Sequence, residues 1–281
     1  MTIPKKQSTT KTTQHEPILL DKWLLLATMG ILSIGLVMVA SASMVVSDHI
    51  YGYPFHFIIR QVIYLCLGFG VAVFVLQLDM AFWQRMSTPL LFLGFFLLIL
   101  VLVPHIGREV HGSKRWIALG PIGLQVSEVI KLCVILFLAG YLVRRQEEVQ
   151  NHVMGFLKPM VLLGGVGVLL LLEPDFGATA VIMATALSMM FLAGVRIRQF
   201  IILLAVVFAL FAFLAVSAPY RLERLTTFLN PWANQYSSGY QLTQSLIAFG
   251  RGGLWGVGLG NSVQKLFYLP EAHTDFLFAV L

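Results

Sequence analysis

Long runs of apolar residues constrain the fold of this chain more than any other feature. A helix needs roughly 20 apolar residues to cross a bilayer core about 30 Å thick. Seven runs approach that length and an eighth starts near the end of the chain, at residues 23–46, 61–78, 89–105, 124–143, 159–173, 176–195, 199–218 and 276 onward. These runs predict an all-α polytopic membrane protein with seven complete transmembrane helices and the start of an eighth.

Composition supports this class. The chain is 58% hydrophobic and 11% charged, whereas soluble globular proteins carry about 25% charged residues. Residues 1–22 are polar and lack the apolar core of a signal peptide, which predicts a disordered cytoplasmic tail before a single transmembrane domain over 23–281. Cys66 and Cys133 both lie in apolar runs, so they indicate neither a disulfide framework nor a metal site.

The distribution of lysine and arginine predicts the orientation in the membrane. With the N-terminus inside, the inner segments carry more of these residues than the outer ones once the long loop 219–274 is set aside. Glu173, Pro174 and Asp175 then form a tight outer turn between two spans. The net charge of +6 fits either anionic ligands or a membrane surface.

The outer loop 219–274 is too long for a plain connection and is expected to be functional. Within it, Leu242, Leu246 and Phe249 recur at helical spacing, which predicts a helix that lies in the membrane interface or re-enters it. The glycines that follow, between 250 and 260, fit either tight turns and packing or a close approach of backbone to a ligand.

Ionisable residues at membrane depth cluster on the outer side. Charged groups there cost several kcal/mol, so each is a functional candidate. On the predicted topology all of them fall in the outer half: Glu128, Lys131, Glu173, Asp175 and Asp275. This clustering predicts that the functional site faces outward.

Each candidate also has a purely structural interpretation. Glu128 and Lys131, one helical turn apart, could form an ion pair that links helices. The turn with Glu173 could be an ordinary solvated one, and Asp175 could cap the next helix. Other structural alternatives are an N-cap at Asp275, a surface histidine at 273 and a membrane-interface anchor at Trp116.

Five strings along the chain resemble one known family. They are Gly112-Ser-Lys-Arg-Trp-Ile117, Gln125-Val-Ser-Glu-Val-Ile-Lys131, Glu173-Pro-Asp-Phe-Gly177, Gly239-Tyr-Gln-Leu-Thr-Gln-Ser245 and Tyr268-Leu-Pro-Glu-Ala-His-Thr-Asp-Phe276. Together they resemble the SEDS family (shape, elongation, division and sporulation), and they are more like its division members than its elongation members. The family fold has ten spans, so this chain is expected to be C-terminally truncated and inactive by itself.

The resemblance implies a peptidoglycan glycosyltransferase in the bacterial inner membrane, with its active site facing the periplasm at the division septum. Its substrate would be lipid II, the undecaprenyl-pyrophosphoryl disaccharide-pentapeptide, and its partners a class B penicillin-binding transpeptidase and other divisome membrane proteins. Nucleic acid is not expected. The alternatives are a lipid II flippase and a non-catalytic division scaffold.

The resemblance also implies roles for residues. Asp275 matches the essential carboxylate of the family and would be the general base of an inverting transfer. Lys131, beside Glu128, would pair with Asp275 or with the pyrophosphate, and Trp116 would line the donor cavity. Further candidates for contacts with substrate are Arg115, Arg221, Arg224, Arg251, Lys265, His273 and Gln241. No cofactor and no dedicated metal site are predicted, although a divalent cation, Mg²⁺ or Mn²⁺, could accompany the pyrophosphate.

Overall fold

The computed structural model describes residues 21–110, 113–119 and 122–281, so the predicted tail over 1–22 lies almost wholly outside the described residues. The elements run in chain order as α1 (Lys22–Tyr51), α2 (His56–Leu76), α3 (Met80–Leu102), β1 (Gly107–Val110), β2 (Ser113–Leu119), β3 (Ile122–Gln125), α4 (Val126–Arg144), α5 (Gln146–Asn151), α6 (Val153–Leu172), α7 (Phe176–Leu192), α8 (Ile197–Val216), α9 (Pro219–Leu229), α10 (Tyr240–Gly252) and α11 (Leu277–Val280). Two 3₁₀ helices lie at Pro231–Asn234 and Val263–Lys265.

The helical membrane class is confirmed. Among the described residues, six helices are long and apolar enough to cross a membrane, namely α1, α2, α3, α4, α6 and α8. The apolar helix α7 has 17 residues and is shorter than these six. Each of the seven predicted runs therefore corresponds to one helix, and the eighth corresponds to the four residues of α11.

Three helices, α2, α3 and α6, begin several residues before the predicted runs 61–78, 89–105 and 159–173. α3 starts at Met80 and α6 at Val153, so Pro89 and Pro159 lie inside helices instead of at their starts. A proline removes one backbone hydrogen bond, and membrane helices tolerate this loss because neighbouring groups satisfy the freed carbonyl. The apolar pattern alone placed the beginnings of these helices too late because their first turns contain polar residues.

A small antiparallel sheet lies between α3 and α4, in addition to the predicted helices. Its strand order is β1-β2-β3, with Arg108 opposite Trp116 and Trp116 opposite Gln125. An irregularity in the pairing follows Arg108. The segment carries scattered charges and short apolar stretches, so its strands do not stand out by periodicity.

The described residues form two compact units. One unit combines the chain up to Gln77 with Thr226–Leu281, and the other is Leu78–Leu225. The single transmembrane domain that the sequence suggests stays a prediction. In the first unit, α1 packs against α2 and α11, around a small core of Met38, Ala42, Leu269, Ala272 and Val280.

The Leu78–Leu225 unit has the larger core, and the packing of α3 against α4 is central to it. Leu91 and Leu98 of α3 and Ile130 of α4 are fully buried there. Gly94 lets the two helices approach closely, because a Cβ atom at this position would lie 2.5 Å from the Cδ1 atom of Ile130. The close contact between α3 and α4 therefore depends on glycine at position 94.

This close approach predicts the effect of a single methyl group. Gly94→Ala should lower the free energy of unfolding by about 1 kcal/mol relative to Gly164→Ala, because the added methyl group displaces the buried Cδ1 atom of Ile130. Gly164→Ala is the matched control, since no atom lies within 4 Å of the added Cβ atom on α6. Thermal unfolding in detergent measures both. Equal melting temperatures for the two variants would contradict this packing.

Candidate active site

The second strand of the sheet presents Arg115 and Trp116, two of the predicted site residues. Arg115 donates from Nη2 to Ser113 Oγ at 3.0 Å, and its Nη1 lies 3.5 Å from Asp175 Oδ1. The Arg115 side chain is 30% exposed, so part of the guanidinium stays accessible. The Trp116 ring lies across Gly123 of β3, where a Cβ atom would sit 3.1 Å from Trp116 Cε3. Packing on the sheet therefore fixes the orientation of Trp116.

The turn between α6 and α7 is not the solvated turn that the sequence suggested. Asp175 is the N-cap of α7, as predicted, because its Oδ1 accepts from the Ala178 N–H at 3.1 Å. Glu173 is completely buried and Asp175 is 4% exposed. Neither carboxylate oxygen of Glu173 has a hydrogen-bond partner among the described residues, and the same holds for Asp175 Oδ2.

The environment of Glu173 changes its protonation. Burial raises the pKa of Glu173 to about 8, the negative charge of Asp175 adds to the rise, and Arg115 opposes it. A carboxyl group with this pKa is mostly protonated at neutral pH. Sequence reasoning left both acids of the turn out of the predicted site residues. The signal was present in the Glu-Pro-Asp string, but their partner comes from a strand that the sequence did not reveal.

Lys131 and Glu128 pair with each other along α4. The Lys131 Nζ atom lies 2.7 Å from Glu128 Oε1, at the i,i+3 spacing predicted from the sequence. This pair lies within one helix, so it does not link two helices as the structural alternative required. The side chains are 25% and 61% exposed, so the packing of the described helices does not enclose the pair.

The corner between α8 and α9 holds Arg221 and Arg224. Arg221 donates from Nη1 to the Leu214 carbonyl at 2.8 Å, near the C-terminus of α8, and its guanidinium lies 5.3 Å from the Phe176 ring centroid. These contacts give Arg221 a structural role at the corner. Arg224 is exposed and lies 5.9 Å from the Tyr220 ring centroid.

Asp275 belongs to the other unit and follows a turn built by Glu271. The backbone N–H groups of Thr274 and Phe276 donate to the Glu271 carbonyl, and Thr274 Oγ1 lies 2.6 Å from Glu271 Oε2. Glu271 adopts a left-handed φ of 55°, which is uncommon outside glycine. Phe276, not Asp275, is the N-cap of α11. Within the described ranges the Asp275 side chain is exposed and makes no hydrogen bond or ion pair.

The remaining candidates of this unit lie around the same loop. His273 packs its ring against Phe57 of α2 at 4.6 Å, so it is not a free surface histidine. Lys265 donates to Ser41 Oγ of α1 at 3.2 Å. Gln241 and Arg251 are exposed on α10, the helix that the sequence predicted here. The interfacial position of α10 stays a prediction.

The predicted residues thus fall into separate groups. In the Leu78–Leu225 unit, Arg115 meets Asp175, and Lys131 meets Glu128. Asp275 is in the unit with α1 and α2, and its pairing with Lys131 stays a prediction. Across the described ranges, no group of three His, Cys, Asp or Glu side chains could hold a metal ion. A cation that accompanies the pyrophosphate would thus find no ready protein ligand set among these residues.

The buried carboxyl group predicts a dependence of stability on pH. Because the pKa of Glu173 is about 8 in the folded protein against an ordinary 4.5, folding favours its protonated form. The free energy of unfolding should therefore fall as pH rises from about 5, and it should level off above about 8. The total fall should be a few kcal/mol, since each unit of pKa difference corresponds to roughly 1.4 kcal/mol.

Glu173→Gln should flatten this part of the curve, because glutamine does not titrate. Glu147→Gln, at an exposed position of α5, should keep the wild-type slope. Thermal unfolding of the three proteins across this pH range measures the effect. Parallel curves for wild type and Glu173→Gln would contradict the buried, protonated state.

Comparison with known proteins identifies the family. The family model for FtsW, RodA and SpoVE cell cycle proteins matches residues 22–281. The probable peptidoglycan glycosyltransferase FtsW of Legionella pneumophila is 59% identical over 94% of this chain and 67% of that protein. The protein of the same name from Coxiella burnetii is 61% identical over 93% of this chain and 70% of that protein. The chain thus spans about two thirds of the length of these relatives.

Solved structures agree with the sequence relatives. A chain from a study of how a peptidoglycan synthase complex coordinates polymerization and crosslinking has a TM-score of 0.67 and 30% identity, over 84% of this chain and 67% of that one. The rod shape determining protein RodA of Thermus thermophilus has a TM-score of 0.57 and 29% identity, over 69% of this chain and 60% of that one. The resemblance noted in the sequence is confirmed, and the chain is a multi-pass membrane protein that belongs to the FtsW, RodA and SpoVE family of cell cycle proteins.

Proposed function

We propose that this chain carries the active-site part of a peptidoglycan glycosyltransferase that polymerises lipid II during septal cell-wall synthesis. Family membership and relatives named as probable peptidoglycan glycosyltransferases, 59% and 61% identical, support the activity. One structural observation carries the site: the Asp275 carboxylate is exposed and unpaired within the described part of the chain, on a turn that Glu271 organises. A general base needs this accessibility.

The reaction joins two lipid-linked sugars. The 4-hydroxyl of an acceptor GlcNAc attacks the anomeric carbon of a donor MurNAc, and the bond from that carbon to the pyrophosphate oxygen breaks. Asp275 accepts the hydroxyl proton as the new bond forms, and undecaprenyl pyrophosphate leaves with the bonding electrons. A single displacement inverts the anomeric configuration, so an α-linked donor gives a β-1,4 product.

The leaving pyrophosphate needs positive charge, and the exposed cations supply it. Part of the Arg115 guanidinium is accessible, and another part pairs with Asp175. Trp116 follows Arg115 on the strand, and its flat ring could pack against a sugar. Lys131, beside Glu128 on α4, is a further candidate for contact with Asp275 or with the pyrophosphate. Arg224 and Arg251 are exposed and are further candidates.

The setting follows from the family and from the charge pattern. We place the N-terminus in the cytoplasm and the active site on the periplasmic side of the bacterial inner membrane, at the septum. A peptidoglycan synthase complex among the structural neighbours supports a class B penicillin-binding transpeptidase as partner. Other divisome membrane proteins would complete the assembly.

Replacing the proposed base provides the first test. Asp275→Asn in the full-length protein should lower lipid II polymerisation by roughly 100- to 10,000-fold, because the amide cannot accept the hydroxyl proton. Asp79→Asn, at an exposed position before α3, should keep wild-type activity. Formation of glycan strands from lipid II in detergent measures the rate and leaves no role for flipping. Near-normal synthesis by Asp275→Asn would exclude the assignment.

The second test separates catalysis from folding at Lys131. Lys131→Met should leave the protein folded, because the pair with Glu128 lies within α4 and does not link this helix to another one. It should nevertheless lower polymerisation at least about tenfold, because one cation is lost near the reacting groups. Thermal unfolding and polymerisation are measured on the same preparation. Unfolding or failed expression of Lys131→Met would instead favour a structural ion pair.

A further inference from the structure

The turn between α6 and α7 holds more negative charge than its surroundings can stabilise. Glu173 and Asp175 are both at least nine-tenths buried, and Arg115 forms an ion pair with Asp175. Two ionised carboxylates with one guanidinium would leave an uncompensated negative charge shielded from water. Such a charge is costly, and carboxyl groups in this situation keep a proton instead.

Hydrogen-bond donors decide which of the two acids carries the proton. Asp175 Oδ1 accepts from the Ala178 N–H at the start of α7 and lies 3.5 Å from Arg115 Nη1, so two donors face this oxygen. Glu173 has no donor at either oxygen among the described residues. The proton therefore resides on Glu173, and the raised pKa of this group agrees with that assignment.

The other charged groups near the turn do not change this balance. On α4, Lys131 is already paired with Glu128. At the α8–α9 corner, Arg221 lies over the ring of Phe176 and donates to the α8 carbonyl and to Tyr220 Oη. The charges that act on Glu173 are those of Asp175 and Arg115.

The proton on Glu173 sets the charge that an incoming anion meets. With Glu173 protonated, the charges of Arg115 and Asp175 cancel and the cluster is neutral. With Glu173 ionised, the same cluster carries one net negative charge beside the accessible part of Arg115. That charge repels a phosphate group approaching Arg115.

We infer that Glu173 is a titratable positioning residue that controls anion binding at Arg115, with the protonated form admitting the pyrophosphate and the ionised form excluding it. This inference rests on the proposed function in one respect, the assignment of Arg115 as a pyrophosphate contact. The inference assigns a role to a buried acid that contacts neither sugar. Glu173 acts through Arg115 alone.

Infrared difference spectroscopy of the full-length protein in detergent tests the proton directly. Wild type should show the carbonyl stretch of a buried protonated carboxylic acid at neutral pH, and this band should disappear above about pH 8. The band should be absent from Glu173→Gln and present in Glu147→Gln. A band that persists in Glu173→Gln, or its absence from wild type at neutral pH, would overturn the inference.

Binding of inorganic pyrophosphate tests the consequence. Between about pH 7 and pH 9, isothermal titration calorimetry should show the affinity of wild type falling roughly tenfold relative to Glu173→Gln, the effect of one nearby charge. Comparison with Glu173→Gln removes the effect of the ionisation of the probe itself. Arg115→Gln should abolish the difference.

The outcomes separate this inference from the proposed function. Equal pH dependence in wild type and Glu173→Gln would overturn the control by Glu173, and so would full binding by Arg115→Gln. Neither result would affect the assignment of Asp275, which rests on polymerisation by Asp275→Asn.

Discussion

The ion pair between Arg115 and Asp175 joins the sheet to the turn between α6 and α7, and the geometry of the site in this unit depends on it. Asp175 also begins α7 as its N-cap, so one carboxylate fixes a helix end and a strand residue together. The same contact leaves part of Arg115 accessible, and Trp116 follows on the same strand, packed on Gly123. A cation and a flat aromatic surface are thereby presented side by side.

Helices were the most predictable part of the fold, because lipid imposes a minimum length on apolar segments. All seven predicted runs correspond to helices, but α3 and α6 begin before the runs do, because polar residues in their first turns interrupt the apolar pattern. Pro89 and Pro159 therefore lie inside helices, where neighbouring groups in a membrane bundle satisfy the freed carbonyls. The sheet between α3 and α4 escaped prediction because its strands are short and its register depends on pairing, not on periodicity.

The sequence predicted which residues are candidates for the site, but it did not predict most of the contacts between them. Family motifs selected Asp275, Lys131 and Arg115, and helical spacing correctly paired Lys131 with Glu128. The burial of Glu173 could not be inferred, because burial depends on how distant elements pack and no local sequence pattern encodes it. The cap at Asp175 could be predicted because it depends on local sequence. The ion pair of Asp175 with Arg115 could not, because the two residues are far apart in the chain.

The central claim is that Asp275 serves lipid II from the outer side of the membrane. The most direct measurement is labelling of Asp275→Cys in the full-length protein, after replacement of Cys66 and Cys133, with a membrane-impermeant thiol reagent. The account predicts labelling from the periplasmic side and protection by added lipid II. Labelling from the cytoplasmic side alone, or labelling that lipid II does not slow, would contradict it.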